Sequence, residues 1–404
     1  MKKIIIACAL LVAMAANAQK PLNNKSQVSK AEAAMTEAQK DPKNINFEKL
    51  AEAEALIAPC LNEGLAKDMP KTWFIAGRIE TFKMQKMLND RVANGGQMDY
   101  DAFFDNQYKI VKYFSECDRL EHTPDAKGKM PKEEYRPQIR QTAIQCRANL
   151  RIAGGQNAVK NPEKAIFYIN EYKNSAGNTI FEGIEELKPE NDKDMPDVSY
   201  FLATALKAKG DPDAAVPELE KALASQQYAK GALGELASYY QQKGDKQTAL
   251  KYYQQGWEKY PDEPIFGRML LSTQFNLDDL DGALATAKAM QEKFPDDDFA
   301  FTTEGHILFK NRKYAEAKEA YLKAHKINPV PTNNIQGAAQ SSWMQLSTDE
   351  KNKELQQETL ELYKLYESDA PEDFANWGEA LYILYTNAQQ PDKAKAYKKY
   401  HSGK

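Results

Sequence analysis

Four alanines, Ala215, Ala249, Ala283 and Ala317, follow one another at intervals of 34 residues. A fixed interval of that size marks a stack of small repeating units and excludes a single closed core. Pro261, Pro295 and Pro329 keep the same step. So do Ala203, Ala237, Leu271 and Gly305; Leu206, Tyr240, Gln274 and Leu308; and Ala222, Gly256, Met290 and Ala324. Within one interval the apolar residues fall three or four apart, the spacing of one helix face. Leu233, Leu236, Ala237 and Tyr240 form one stripe, ended by Gly244-Asp245; Ala249, Leu250, Tyr253 and Trp257 form a second, ended by Tyr260-Pro261. Each unit is therefore a helix hairpin. A lone hairpin leaves half its apolar surface in water, so the units must stack.

With these columns in place, residues from about 197 to 331 resemble four consecutive tetratricopeptide repeats. Gly305, Leu308, Tyr314, Ala317, Tyr321, Ala324 and Pro329 follow the family pattern, as do Leu236, Ala237, Tyr240, Gly244, Ala249 and Pro261. The resemblance implies an all-α fold, an α-α superhelix of antiparallel helix pairs. Residues 332–404 read as a degenerate C-terminal end: a longer hairpin over 335–366, then a unit built on Trp377, Leu381, Leu384, Ala394 and Tyr397. Residues 19–190 read as divergent hairpins. Trp73-Phe74-Ile75-Ala76-Gly77 has the opening spacing of a repeat, and Asn161-Pro162 that of a second-helix start. Asn94-Gly95-Gly96 and Ala153-Gly154-Gly155 read as breakers, and the polar stretch 190–196, ending in Pro196, as the boundary between the halves. No sustained alternation of apolar and polar residues predicts a strand.

The first 18 residues carry a secretory pattern: Lys2 and Lys3, an apolar run from Ile4 to Ala16, and Ala16-Asn17-Ala18 before Gln19. Cleavage after Ala18 and a periplasmic or secreted home follow as expectations. Ile5-Ile6-Ala7-Cys8 imitates a lipoprotein box, but three apolar residues before the cut are too few, so a lipid anchor is not expected. No later stretch is apolar enough to predict a membrane span. Cys60, Cys117 and Cys146 then remain, without Cys-x-x-Cys spacing; they read as buried thiols, with one disulfide as the alternative.

Chemistry finds little purchase. A net charge of -4 and no basic, aromatic-studded stripe argue against nucleic acid. His122, His306, His325 and His401 stand at no ligand spacing from one another or from a cysteine. Asp278, Asp279, Asp281 and Gly282 suggest a calcium loop, but alignment on Gly282 puts Leu277 at its first position and Lys288 where a glutamate must be. Those acids, and Asp296 to Asp298, are expected to cap helices. No nucleophile elbow, phosphate loop or zinc motif is present. No enzyme activity, cofactor or metal is expected.

What remains is a surface. In the family, certain first-helix positions line a groove that touches ligand; those matching here are Tyr200, Thr204 and Lys207, then Gly234, Ser238 and Gln241. They continue with Arg268, Ser272 and Phe275, with Thr302, His306 and Phe309, and with Gln336, Gln340 and Trp343. The family's clamp for a peptide C-terminal carboxylate is not reproduced, since Tyr200, Thr204, Gly234 and Ser238 stand at its positions. Phe275, Phe309 and Trp343 repeat an aromatic at one matching position, either as an apolar strip for a bound segment or as packing between units. The resemblance thus implies a protein or peptide partner held by Tyr200, Lys207, Gln241, Arg268, Phe275, His306, Phe309, Gln340 and Trp343. Glycan or nutrient capture, and an enzyme site in the irregular N-terminal half, are the competing readings.

Overall fold

The computed structural model describes residues 22–41, 44–124 and 127–401, and none of these lies in a β-strand. The expected signal peptide falls outside the described residues. The chain divides into two compact units, the first ending at Ser225 and the second beginning at Gln226.

In the first unit the helices are α1 (Lys25–Ala38), α2 (Phe47–Ile57), α3 (Pro70–Ala93), α4 (Tyr100–Glu121), α5 (Arg136–Asn157), α6 (Pro162–Ser175), α7 (Met195–Ala208) and α8 (Pro212–Ala222). Successive helices pack as pairs. One cluster of buried side chains joins α4, α5 and α6 through Phe104, Ile110, Phe114, Ile139, Leu150, Tyr168 and Ile169, and a second joins α1, α2 and α3 through Val28, Leu50, Ile57, Ile75 and Ile79.

Two sequence expectations change here. Gly95 and Gly96 do end α3, with φ of 64° and 92°. Gly154 and Gly155, expected to break the chain, lie inside α5. Their missing Cβ atoms are what matter: a methyl at 154 would meet Ile169 Cγ1 at 2.5 Å, and one at 155 would meet the Phe201 ring at 3.1 Å. These glycines admit neighbouring helices. The stretch 190–196, read as the boundary between the halves, lies within the first unit and is packed: Asp192 is buried and accepts from Arg147 Nη2 at 3.2 Å and from Tyr172 Oη at 2.8 Å.

Cys60, Cys117 and Cys146 are free and buried, as thiols and not as a disulfide. Burial raises the pKa of each, that of Cys146 to about 12. Burial thus favours the neutral thiol over the thiolate, the nucleophilic form, in each.

In the second unit the helices are α9 (Ala229–Gln242), α10 (Lys246–Lys259), α11 (Pro264–Asn276), α12 (Leu280–Lys293), α13 (Asp298–Lys310), α14 (Tyr314–Ile327), α15 (Thr332–Leu346), α16 (Lys353–Asp369), α17 (Phe374–Asn387) and α18 (Pro391–Tyr397). The alanine column behaves as its spacing requires, for Ala215, Ala249, Ala283 and Ala317 are all fully buried. Glycine serves the same close approach between pairs. Tyr321 of α14 is 3% exposed and lies against both Gly305 of α13 and Gly337 of α15; a Cβ at either would come within 2.8 Å of its ring.

The turns repeat as strictly as the cores. Gly210, Gly244, Asp278 and Arg312, 34 residues apart, all take positive φ, at 90°, 83°, 64° and 61°. In each turn the next residue's N–H reaches back to the carbonyl five residues before it: Asp211 to Leu206, Asp245 to Tyr240, Asp279 to Gln274, Lys313 to Leu308. Asp211, Asp245 and Asp279 then cap the following helix, accepting from the N–H groups of Ala214, Thr248 and Gly282. Lys313 holds the matching place in the next repeat and makes no side-chain cap bond. At the other end, Tyr260, Phe294 and Asn328 leave helical geometry just before Pro261, Pro295 and Pro329.

Candidate partner-binding surface

Of the residues assigned to a groove by family position, Tyr200 and Lys207 lie on α7 of the first unit. Tyr200 is half-buried, its carbonyl accepting from Thr204 Oγ1, and Lys207 is exposed in the last turn. The others lie on α9, α11, α13 and α15. Gln241 is exposed and accepts from Tyr253 Oη at 2.6 Å. Arg268 donates through Nε to Asp297 Oδ2 at 2.8 Å, and its guanidinium lies 6.0 Å from the Phe299 ring centre. That bond raises its pKa and ties α11 to the start of α13, so Arg268 has a structural partner already. Gln340 is exposed.

The structure brings Phe275 and His306 together, with ring centres 6.2 Å apart. The imidazole also meets Tyr321 edge-to-face, with ring centres 5.4 Å apart. Desolvation of the part of the ring beside them disfavours the charged form, and His306 titrates below its ordinary value although the residue is exposed. Lys310, which family position did not single out, has its ammonium 5.8 Å from the Phe275 ring centre and pairs with Asp278 at 2.5 Å. Phe309 and Trp343 are placed differently. Phe309 packs edge-on against Tyr314 at 5.4 Å, and Trp343 against Tyr363 at 5.9 Å. Phe275, Phe309 and Trp343 each rest on a different core cluster and leave only part of the ring outside. Packing accounts for their inner faces. Only their outer edges are open to a partner.

The irregular half holds a cleft that the sequence did not reveal. Helices α3, α4 and α6 and the segment 177–179 enclose about 400 Å³, lined in part by Trp73, Lys112, Ser115, Arg119, Glu171 and Asn174. The trace in sequence is faint. Ser115 and Arg119 are one turn apart on α4, and Glu171, Asn174 and Ser175 are one turn apart on α6, but only the fold sets the two helices facing each other.

Below the cleft, Asp118 is fully buried and accepts from Arg136 Nε and Nη2 at 2.6 and 2.9 Å and from Thr179 Oγ1 at 2.6 Å. Burial alone would raise its pKa, but these bonds outweigh it and hold the carboxyl below the usual range. Glu121 accepts from the N–H groups of Glu134, Tyr135 and Arg136 at 2.6, 2.9 and 3.1 Å, capping α5 from the end of α4. Both carboxylates are occupied in holding the fold. Among the described residues, no group of three or more His, Cys, Asp or Glu side chains is arranged to hold a metal ion, and no helix is long and apolar enough to cross a membrane.

Comparison with curated proteins finds no match. Among solved structures, the chain is similar to MamA (17% identity, 44% of this chain and 93% of that one, TM-score 0.37). It is also similar to the C-terminal part of a TPR repeat-containing protein from Cytophaga hutchinsonii (15% identity, 63% and 93%, TM-score 0.43). A third is YrrB, described as a TPR protein with an unusual peptide-binding site (16% identity, 50% and 95%, TM-score 0.36). Models of the tetratricopeptide repeat match residues 200–264 and 300–331. The pair α11–α12 between those segments has the same turn, at Asp278 and Asp279. The chain carries tetratricopeptide repeats.

Proposed function

We propose that this chain is an exported scaffold that holds a segment of another protein against the first helices of its repeats. The observation that carries the reading is the surface formed on α11, α13 and α15. It offers the outer edges of Phe275, His306, Phe309 and Trp343 together with the amide of Gln340, and its one arginine, Arg268, is neutralised by Asp297. A face of aromatic edges and amides, on which Lys310 beside Phe275 is likewise paired with Asp278, suits an extended or helical protein segment, with aromatic anchors supplying most of the affinity. It does not suit a phosphate backbone. The tetratricopeptide repeats support the same reading, since such repeats are typically modules that bind proteins or peptides. Export rests on the Lys2 to Ala18 pattern alone.

The test is affinity capture from envelope extract with the mature chain and with the variant Phe275→Ala, Phe309→Ala, Trp343→Ala. Helicity is first matched by circular dichroism, because all three rings also pack inward. A specific protein retained by the parent and lost by the variant supports the reading. Equal retention by both removes the partner from this face.

A further inference from the structure

We propose that the cleft between α3, α4 and α6 binds a small zwitterion of amino-acid or dipeptide size, its carboxylate held by Lys112 and its ammonium by Glu171. This site is separate from the partner-binding surface and does not depend on it.

The argument begins with which lining groups are already committed. Arg119 is held by Glu116 through two bonds, at 2.7 and 2.6 Å, so that pair neutralises itself. Ser115 Oγ accepts from Asn178 Nδ2 at 2.9 Å, and Thr179 Oγ1 donates to Asp118. Trp73 donates through Nε1 to the Lys67 carbonyl at 2.7 Å, which fixes the indole as a wall beside Val111. Lys112, Glu171 and Asn174 are less committed. Among the described residues, Lys112 and Glu171 have no oppositely charged group within 4.0 Å; the exposed Lys112 ammonium lies 5.9 Å from the Tyr108 ring centre, Glu171 is half-buried, and the exposed Asn174 carboxamide has no hydrogen-bond partner.

The Lys112 ammonium acts on Glu171 across the cleft. Burial raises the Glu171 pKa and the nearby Lys112 ammonium partly opposes this, yet the two make no direct contact. An opposite pair facing one cavity without touching is complementary to a ligand that carries both charges and no net charge. A simple anion would leave Glu171 unmet, and a simple cation would leave Lys112 unmet. A neutral polyol would satisfy neither charge, and a partly desolvated carboxylate gains most from a cationic donor. Asn174 can accept from the ligand's ammonium or donate to its carboxylate. The volume lies within the range of about 300–1,000 Å³ common to small-molecule sites.

Isothermal titration of the mature chain tests this with L-leucine and glycyl-L-leucine as zwitterionic probes. N-acetyl-L-leucinamide, which has the same side chain and no charges, and maltose serve as neutral probes. Saturable binding of a zwitterion is expected, weakened about tenfold or more by Glu171→Gln and separately by Lys112→Met, as the loss of a charge-assisted hydrogen bond implies. Both side chains reach the surface, and equal helicity and melting temperature in the variants assign the loss to binding. The proposal is overturned if neither zwitterion binds up to about 10 mM, a limit weaker than most specific sites. It is also overturned if the substitutions leave affinity unchanged, or if N-acetyl-L-leucinamide or maltose binds as tightly as the zwitterions.

Discussion

Arg147 and Asp192 form a buried ion pair, with Nη2 3.2 Å from Oδ2 and side chains 2% and 4% exposed. The guanidinium also lies 3.9 Å from the centre of the Tyr172 ring and donates through Nε to Ser175 Oγ. Removing one partner leaves an uncompensated charge in the core. Asp192→Ala is therefore expected to destabilise the first unit by about 3–5 kcal/mol, whereas replacing both partners with apolar residues costs less than either single change. Urea unfolding of Asp192→Ala, Arg147→Met and the double variant checks this. Strictly additive losses would show that the pair is not coupled.

The turn at Arg312-Lys313 keeps the backbone of its neighbours without their residues. Arg312 takes a φ of 61°, where Gly210 and Gly244 stand in the first two repeats, and Lys313 stands where Asp211, Asp245 and Asp279 cap the next helix. A side chain at positive φ costs about 1–2 kcal/mol, and a missing N-cap typically costs about 1 kcal/mol. Arg312→Gly with Lys313→Asp should therefore stabilise the second unit by about 1–3 kcal/mol, read as a higher melting temperature in calorimetry. An unchanged or lower melting temperature would show that the long side chains make up the difference.

His306 gives a pH dependence with a definite sign. Its pKa in the folded chain lies below the ordinary 6.5 because desolvation of part of the ring disfavours the imidazolium. As pH falls, the unfolded chain takes up this proton first. His306's contribution is thus complete above about 6.5, is lost as pH drops toward the lower folded value, and changes no further below it. Unfolding free energies of the parent and His306→Gln, compared between about pH 7.5 and about pH 5, should diverge in this sense. An imidazole titration by NMR with a midpoint at or above 6.5 would contradict the assignment.

The repeat was legible because its cause is local. Ala249 and Ala283 had to be small where two helices meet, and Tyr260-Pro261 had to end a helix, so spacing alone exposed them. The turn column was not read as a repeat, since Gly210, Gly244, Asp278 and Arg312 share a backbone conformation and not a residue type. The first unit was harder for two reasons. Helices α3, α4 and α5 run for 24, 22 and 22 residues and hide any shorter period. Its buried polar groups, Asp118, Glu121 and Arg147, find partners that hydropathy cannot pair. Gly154 and Gly155 failed as breakers for the same reason that Gly305 and Gly337 lie in helices: each accommodates a side chain from a neighbouring helix. Of the residues given by family position, Gln340 and His306 are exposed. Family position could not show that Arg268 is held by Asp297, or that Lys310 stands over Phe275.

The central claim is that the first-helix face of the second unit holds a protein partner. Photo-crosslinking in the cells that make the chain tests it directly, with a benzophenone side chain placed at His306 or Gln340 on that face, or at Lys288 or Lys323 on exposed positions of the second helices. The account predicts one and the same protein adduct from His306 and Gln340 and none from Lys288 or Lys323. Adducts only from the second-helix positions, or equally from all four, would contradict it.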